Sequence, residues 1–228
     1  MPHSTRLIAA LMMTVAACHG SGSRNAAVTP DGWQPLFDGK TTAGWRNYGK
    51  TGPVTGWAVE DGALTRVGEG GDIVSDSEYA NFELELDWKI SPKGNSGIMY
   101  RVTEDQPWSY YTGPEMQVLD DAGHPDGASR LTAAGAAYGL YPSPPGIEKP
   151  AGEWNHVRIV VNGAHVEHWL NGTRVVEYEL WSPDWEARVA ASKFKQWPTY
   201  GRARRGHIAL QDHGDWVAYR NIRIKVLP

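Results

Sequence analysis

The residues that invite a chemical reading lie in one stretch, Gly113-Pro114-Glu115-Met116-Gln117-Val118-Leu119-Asp120-Asp121. Glu115 and Gln117 alternate with Met116 and Val118, the pattern of a β-strand that turns two polar side chains to one face and two apolar ones to a core. After Val118 the alternation slips by one residue, because Leu119 precedes Asp120, and a β-bulge there would bring Asp120 beside Glu115 and Gln117. A row of carboxylate, amide and carboxylate suits acid–base chemistry on sugars, which ordinarily uses two carboxyl groups at a fixed separation. The same letters also describe a half-exposed strand running into an acidic turn. Just beyond, Asp120, Asp121, His124 and Asp126 form an oxygen-rich loop with one imidazole. Such a set could hold a divalent cation, calcium or a transition metal, and equally could be an acidic turn without one.

The elements that must position these groups read as strands. Glu83-Leu84-Glu85-Leu86-Asp87-Trp88-Lys89-Ile90 alternates charge with apolar bulk, one face for water and one for a core. Residues 92–95 make a turn. Residues 96–102 read as the next strand, with Gly97, Met99 and Arg101 on one side and Ile98, Tyr100 and Val102 on the other. Asn162-Gly163 and Asn171-Gly172 punctuate three further strands as hairpin turns, giving a meander. The last pair is His207 to Gln211 and Val217 to Val226, with residues 212–216 as the turn between them. One helix is expected, from Ser182-Pro183-Asp184 to about Ala191: the serine caps, the proline fits the first turn and the aspartate favours the positive helix end. Many short strands with a single inserted helix argue for an all-β sandwich of two antiparallel sheets in preference to an α/β fold.

Residues 1–18 carry Arg6, an uncharged apolar run and then Val15-Ala16-Ala17-Cys18. The run is too short to span a bilayer and fits a secretory signal, and the four residues that end it look like a bacterial lipobox. Cys18 is the only cysteine, so no intramolecular disulfide can form, and lipidation gives its position a reason. The small-residue pattern would also suit ordinary signal cleavage. Residues 19–32 are rich in Gly, Ser, Ala and Asn, the composition of a flexible tether. Residues 33–228 are enough for one all-β domain. The formal net charge is −4, and Arg-Ala-Arg-Arg at 202–205 is too short for a nucleic-acid surface. The chain has 11 Trp and 10 Tyr against 3 Phe, a bias toward rings with a flat apolar face and a polar tip, which suit sugars and β-cores alike.

A series of segments carries a family resemblance: Leu36-Phe37-Asp38-Gly39-Lys40 with Gly44-Trp45, Tyr79-Ala80-Asn81-Phe82-Glu83-Leu84, Gly94-Asn95-Ser96-Gly97-Ile98 with Arg101, and the stretch from Gly113 to Asp120. Later come Gly152-Glu153-Trp154-Asn155, Ser192-Lys193-Phe194, the run from Gly206 to Gly214, and Tyr219-Arg220-Asn221-Ile222. In this order they resemble the bacterial 3-keto-disaccharide hydrolase family. One departure is Ala137-Tyr138, where a bulkier apolar residue is expected before the tyrosine. The resemblance implies a concanavalin A-like jelly roll with a carbohydrate groove on its concave sheet, secretion or surface anchoring, and cleavage of glycosides oxidised to a ketone at C3.

A 3-keto sugar invites elimination. The ketone acidifies the hydrogen on C2, a base removes it, the enolate expels the group at C1, and water adds back. Glu115 or His213 is placed as the base, Arg101 and Lys193 as cations near the enolate, and Gln117, His207 and Gln211 as partners for hydroxyls, with Asp120 at the groove edge. Each has a plainer reading: Arg101 as a cross-strand partner of Glu115, Lys193 as a solvated helix end, His213 as a turn residue. Direct displacement at C1 by Glu115 and Asp120 is the competing chemistry. A lipid-anchored carbohydrate-binding module without turnover is the competing function. Glu115, Arg101, Lys193 and His213 meeting in one pocket would favour the enzyme, since a lectin has no use for a base opposite a cation.

Overall fold

A computed structural model describes residue 1 and residues 29–228 of the protein. The lipidation expectation at Cys18 lies outside the described residues.

Two antiparallel sheets make the fold. The larger runs β11 (Thr173–Glu179), β10 (His165–Leu170), β9 (Asn155–Asn162), β6 (Phe82–Ile90), β13 (Val217–Val226), β4 (Ala63–Arg66) and β3 (Trp57–Glu60), with β1 (Trp33–Pro35) also paired to β13. The smaller runs β2 (Trp45–Asn47), β5 (Ile73–Tyr79), β12 (Gly206–Leu210), β7 (Asn95–Val102) and β8 (Glu115–Leu119). On β6, Leu84, Leu86, Trp88 and Ile90 are buried between the sheets. Its alternate residues form ion pairs across the outer face: Glu83 with Arg158 at 2.9 Å, Glu85 with Arg223 at 2.5 Å, and Asp87 with Arg220 at 3.2 Å. The unbroken charge–apolar alternation is thus the record of one wet and one dry face.

The meander of β9, β10 and β11 forms as expected. Its second turn is a two-residue hairpin with φ of 49° at Asn171 and 83° at Gly172, the left-handed pair that an Asn-Gly step supplies at least cost. The helix α1 (Pro183–Ala191) also forms, and Ser182 Oγ accepts from the Trp185 N–H at 3.2 Å.

Two expectations about the strands fail. β12 and β13 are not a hairpin: they lie in different sheets, and residues 211–216 carry the chain from one layer to the other. And β8 pairs with β7 without any register shift, so there is no bulge after Val118. The smaller sheet carries apolar residues on part of its outer face as well as on its inner one, which strict polar–apolar alternation does not anticipate. Ile73, Ile98, Tyr100, Met116, Val118, Ile208 and Leu210 fill the inter-sheet core, while Val74, Met99, Val102 and Ala209 form a second cluster on the outer face against Tyr48 and Tyr110.

Candidate active site

The outer face of the smaller sheet opens into a cavity of about 460 Å³. Its floor is polar, with Asp72, Asn95, Glu115, Gln117, Gln211 and Asp212, and its wall is aromatic, with Trp108, Tyr110, Tyr138, Phe194 and Trp197; Lys193 sits among the rings and the exposed His213 at the mouth.

β8 would be an edge strand, yet residues 135–138 cover its free side. Gln117 N–H donates to Ala136 O at 3.1 Å, Gly135 N–H to Gln117 O at 2.9 Å and Tyr138 N–H to Glu115 O at 3.0 Å. With both strand edges bonded, Glu115 and Gln117 are fixed as if on a central strand. The departure at Ala137 falls here: Ala137 is buried and bridges Met116, and the next residue, Tyr138, turns to the cavity. Glu115 lies over β7 at Gly97, where even a Cβ would overlap its carboxyl group. That close approach requires glycine. Burial pushes the Glu115 carboxyl up to about 8, opposed by the charge of Lys193 and reinforced by Asp72 and Asp126. At neutral pH this is a carboxyl poised to exchange a proton. Beside it, Gln117 Nε2 donates to Asn95 Oδ1 at 3.4 Å, and Gln117 Oε1 is buried with no partner.

Lys193 owes its place to Ser192, which ends α1 by donating from Oγ to Val189 O at 2.9 Å and starts the next turn by accepting from Phe194 N–H at 3.1 Å. Phe194 is buried and stacked on Tyr200 with centroids 3.9 Å apart, so the turn is pinned and Lys193 Nζ sits 4.3 Å from the Tyr138 ring centroid. It is a held cation, not a free helix end. Gln211 and His213 follow β12. Gln211 N–H donates to Gly97 O at 3.0 Å and Ser96 Oγ donates to Gln211 O at 2.7 Å. Asp212 then pairs with Arg66 at 2.5 Å and accepts from Gly71 N–H at 3.0 Å, which delivers the exposed His213 to the mouth, its ring 6.5 Å from that of His124. Hydrogen bonds, chiefly that from Arg66, hold the Asp212 carboxyl below its ordinary range.

Glu115, Gln117, Lys193, Gln211 and His213 therefore meet, as the sequence reading expects. Arg101, His207 and Asp120 do not line the cavity. Against β12, His207 faces Val102 and Ala209 faces Met99, so β7 has one residue too many, and the extra residue is Arg101 at φ 52°. This bulge reverses the alternation: Met99 and Val102 share the outer face, while Arg101 is buried, donating to Ala80 O at 2.9 Å and 2.7 Å. It makes no pair with Glu115. His207 lies on the far side of the Val74–Met99–Val102–Ala209 cluster, which Tyr110 covers. There its Nδ1 donates to Ser75 O at 2.7 Å and its Nε2 faces Glu104 and Glu78, each at 3.6 Å. Without the expected bulge, Asp120 leaves the strand and accepts from Lys93 N–H at 2.7 Å.

The cation loop fails for the same kind of reason. Asp121 is engaged by Arg130 at 3.0 Å and by Ala134 N–H at 2.7 Å, and His124 Nδ1 accepts from Asp126 N–H at 3.1 Å as the cap of a short turn. Among the described residues the His/carboxylate grouping with metal-like spacing is His165, Glu167 and Glu177 on the larger sheet, where Arg174 already pairs with both carboxylates.

The sequence reading misses Asp72 and most of the aromatic wall. Burial raises the Asp72 carboxyl above its ordinary range; it accepts from Ser109 Oγ and, at 2.8 Å, from Asp212 N–H. An acidic residue between the glycines at 70 and 71 and the apolar start of β5, and the run Trp108-Ser109-Tyr110-Tyr111 within a polar loop, were the available signals.

Fold and cavity together define a concanavalin A-like two-sheet sandwich with a pocket on its smaller sheet that holds the raised Glu115 carboxyl. A family model described as a 3-keto-alpha-glucoside-1,2-lyase-like domain matches residues 32–225, and the chain belongs to that family. It is 40% identical to a 3-keto-disaccharide hydrolase of Bacteroides thetaiotaomicron, over 88% of this chain and 80% of that one. A solved structure from Parabacteroides distasonis superposes with a TM-score of 0.81 at 36% identity, covering 87% of this chain and 95% of its own. The carbohydrate-binding module CBM66 of Bacillus subtilis shares the fold alone, with a TM-score of 0.52 at 14% identity over 80% of this chain and 95% of its own.

Proposed function

We propose that this protein is an enzyme that cleaves 3-keto-disaccharides, by elimination across C1 and C2 followed by hydration. The observation that carries the chemistry is the Glu115 carboxyl, buried on the cavity floor, raised to about 8 and facing the cation of Lys193. Family membership and the named hydrolase relative support the substrate class.

Glu115 takes the C2 proton. The C2–H electron pair forms the enolate with the C3 ketone, and Lys193 stabilises the negative charge that develops on the C3 oxygen. The enolate collapses to re-form the ketone and a C1–C2 double bond as the C1–O bond breaks. His213, at the mouth, gives the leaving oxygen its proton. Water then adds, hydroxyl to C1 and proton to C2, for a net hydrolysis. A base of raised pKa suits a weak carbon acid better than an ordinary carboxylate, and its operating range sits close to neutrality. Gln117, through its unpartnered Oε1, and Gln211 hold hydroxyls. Arg101, buried against Ala80 O, has no part in this scheme. A purely binding role leaves the convergence of Glu115, Lys193 and His213 without a use.

The reading is tested with 3-keto-disaccharides and their unoxidised parents. Only the oxidised sugars should be cleaved, and Glu115→Gln should lower kcat by about 10²- to 10⁴-fold while substrate still binds. Equal cleavage of the parents, or wild-type turnover by the variant, would overturn it.

We further propose that the domain is carried on a lipid at Cys18, on the non-cytoplasmic side of a membrane, because Val-Ala-Ala precedes that cysteine and a Gly-Ser-rich stretch follows it.

A further inference from the structure

The cavity is chemically two-sided, and the second side has no role in the proton chemistry. Trp108 and Tyr110 flank Ser109, whose hydroxyl is bonded to Asp72 on the floor and lies 3.4 Å from the Met99 sulfur. Trp108 stacks on Tyr110 with planes 18° apart; Tyr110 meets Trp197 edge-on at 5.5 Å; and Trp197 is stacked on Tyr111 at 4.3 Å. Trp197 ends the turn that begins at Lys193. The two segments that build this wall are therefore each tied to the acid–base groups. Trp108 remains 54% exposed, so one face of its ring is open to a molecule in the cavity.

We propose that Trp108, Tyr110 and Trp197 are the leaving-group subsite, and that it accepts leaving groups presenting a flat ring face, a pyranose or an arene. This rests on the reading above that the cavity cleaves 3-keto-glycosides. The oxidised ring needs partners for its ketone and hydroxyls, which Lys193 beside Tyr138 and the polar residues around Glu115 supply. The group on C1 then points to the aromatic side, and the departing alcohol leaves past the exposed Trp108. A ring face stacked on Trp108 replaces the water now touching it.

The test compares phenyl, glucosyl and methyl 3-keto-glucosides of one anomer with the wild type, Trp108→Ala and Trp108→Phe. Intrinsic leaving-group reactivity is common to all three proteins and cancels between them. Trp108→Ala should lower the phenyl-to-methyl and glucosyl-to-methyl ratios of kcat/KM by roughly 3- to 10-fold, and Trp108→Phe should restore most of the loss. Ratios that do not move, or a common factor lost on all three substrates, would overturn the subsite. Calorimetric binding of unoxidised phenyl and methyl glucosides reads the same ratio without turnover: a phenyl preference that Trp108→Ala erases supports the subsite, and equal binding of the two by the wild type opposes it. Failure of the elimination reading shows separately, as turnover retained by Glu115→Gln.

Discussion

Replacing Glu115 by glutamine should make the protein more stable, and by an amount that depends on pH in a defined direction. In the folded protein the carboxyl is raised from an ordinary 4.5 to about 8, chiefly by desolvation. Between those values the folded state holds a proton that the unfolded chain releases, so wild-type stability falls as pH rises from about 4.5 and levels off above about 8. At about 1.4 kcal/mol per tenfold change in proton affinity, the full swing is about 5 kcal/mol, an upper bound that relaxation around the ionised group reduces. Glutamine is nearly isosteric and cannot ionise. The variant should therefore match the wild type near pH 4.5 and exceed it at pH 9, by at most about 10 to 20 °C in Tm for a domain of this size. Thermal unfolding of both proteins from pH 4.5 to 9 measures this, and the titrating groups that do not interact with Glu115 cancel in the difference. A difference that does not change with pH, or a variant that weakens toward alkaline pH, would refute the claim that Glu115 is held protonated by burial. The stability given up by the wild type is the ordinary cost of a functional buried acid.

Gly97→Ala should cut kcat/KM by about 10²-fold or more, because a Cβ there displaces the Glu115 carboxyl and misplacement by about 1 Å costs that much; wild-type kcat/KM in a folded variant would contradict it. Lys193→Met removes the one cation that lowers the Glu115 pKa, so the rising limb of kcat/KM against pH, centred near 8 in the wild type, should move to higher pH; an unmoved limb would place Lys193 outside the site. Cys18→Ser should release the protein from membranes, as read by fractionation of cells, and a variant that stays in the membrane fraction would remove the proposed anchor.

Much of the architecture is legible in local patterns. The alternation of Glu83 to Ile90, the Asn171-Gly172 turn and the Ser182 cap each form where the letters place them, since period, left-handed turn residues and caps act over a few residues; the first turn of the meander falls one residue later, at Gly163-Ala164. Within the site the same logic places Glu115 and Gln117 on one face of β8. It fails where the determinant is not local. Arg101 satisfies strict alternation on paper, but one extra residue in β7 against β12 turns it away from the groove, and nothing in the segment announces that bulge. Gln211 directly follows the strand that carries His207, yet the apolar cluster topped by Tyr110 lies between the His207 position and the cavity. Asp72 enters the site only through the loops that bring it to Asp212 and Ser109, distant in sequence. The aromatic wall was visible as composition and invisible as geometry, because Tyr110 and Tyr111 meet Trp197 only through the packing of two separate turns.

Elimination must break the C2–H bond and direct displacement must not. The decisive experiment therefore turns over a 3-keto-disaccharide deuterated at C2, in ordinary water, and reads the label in product and residual substrate by mass spectrometry at low conversion. Deuterium passed to Glu115 exchanges with solvent before water adds across C1 and C2. The released 3-keto sugar should then have lost label that the unconsumed disaccharide retains, and the label-dependent slowing should vanish with the activity in Glu115→Gln. Full retention of deuterium at C2 in the product together with no label-dependent slowing would mean that the bond to C1 is cleaved without touching C2, and that Glu115 serves some other chemistry.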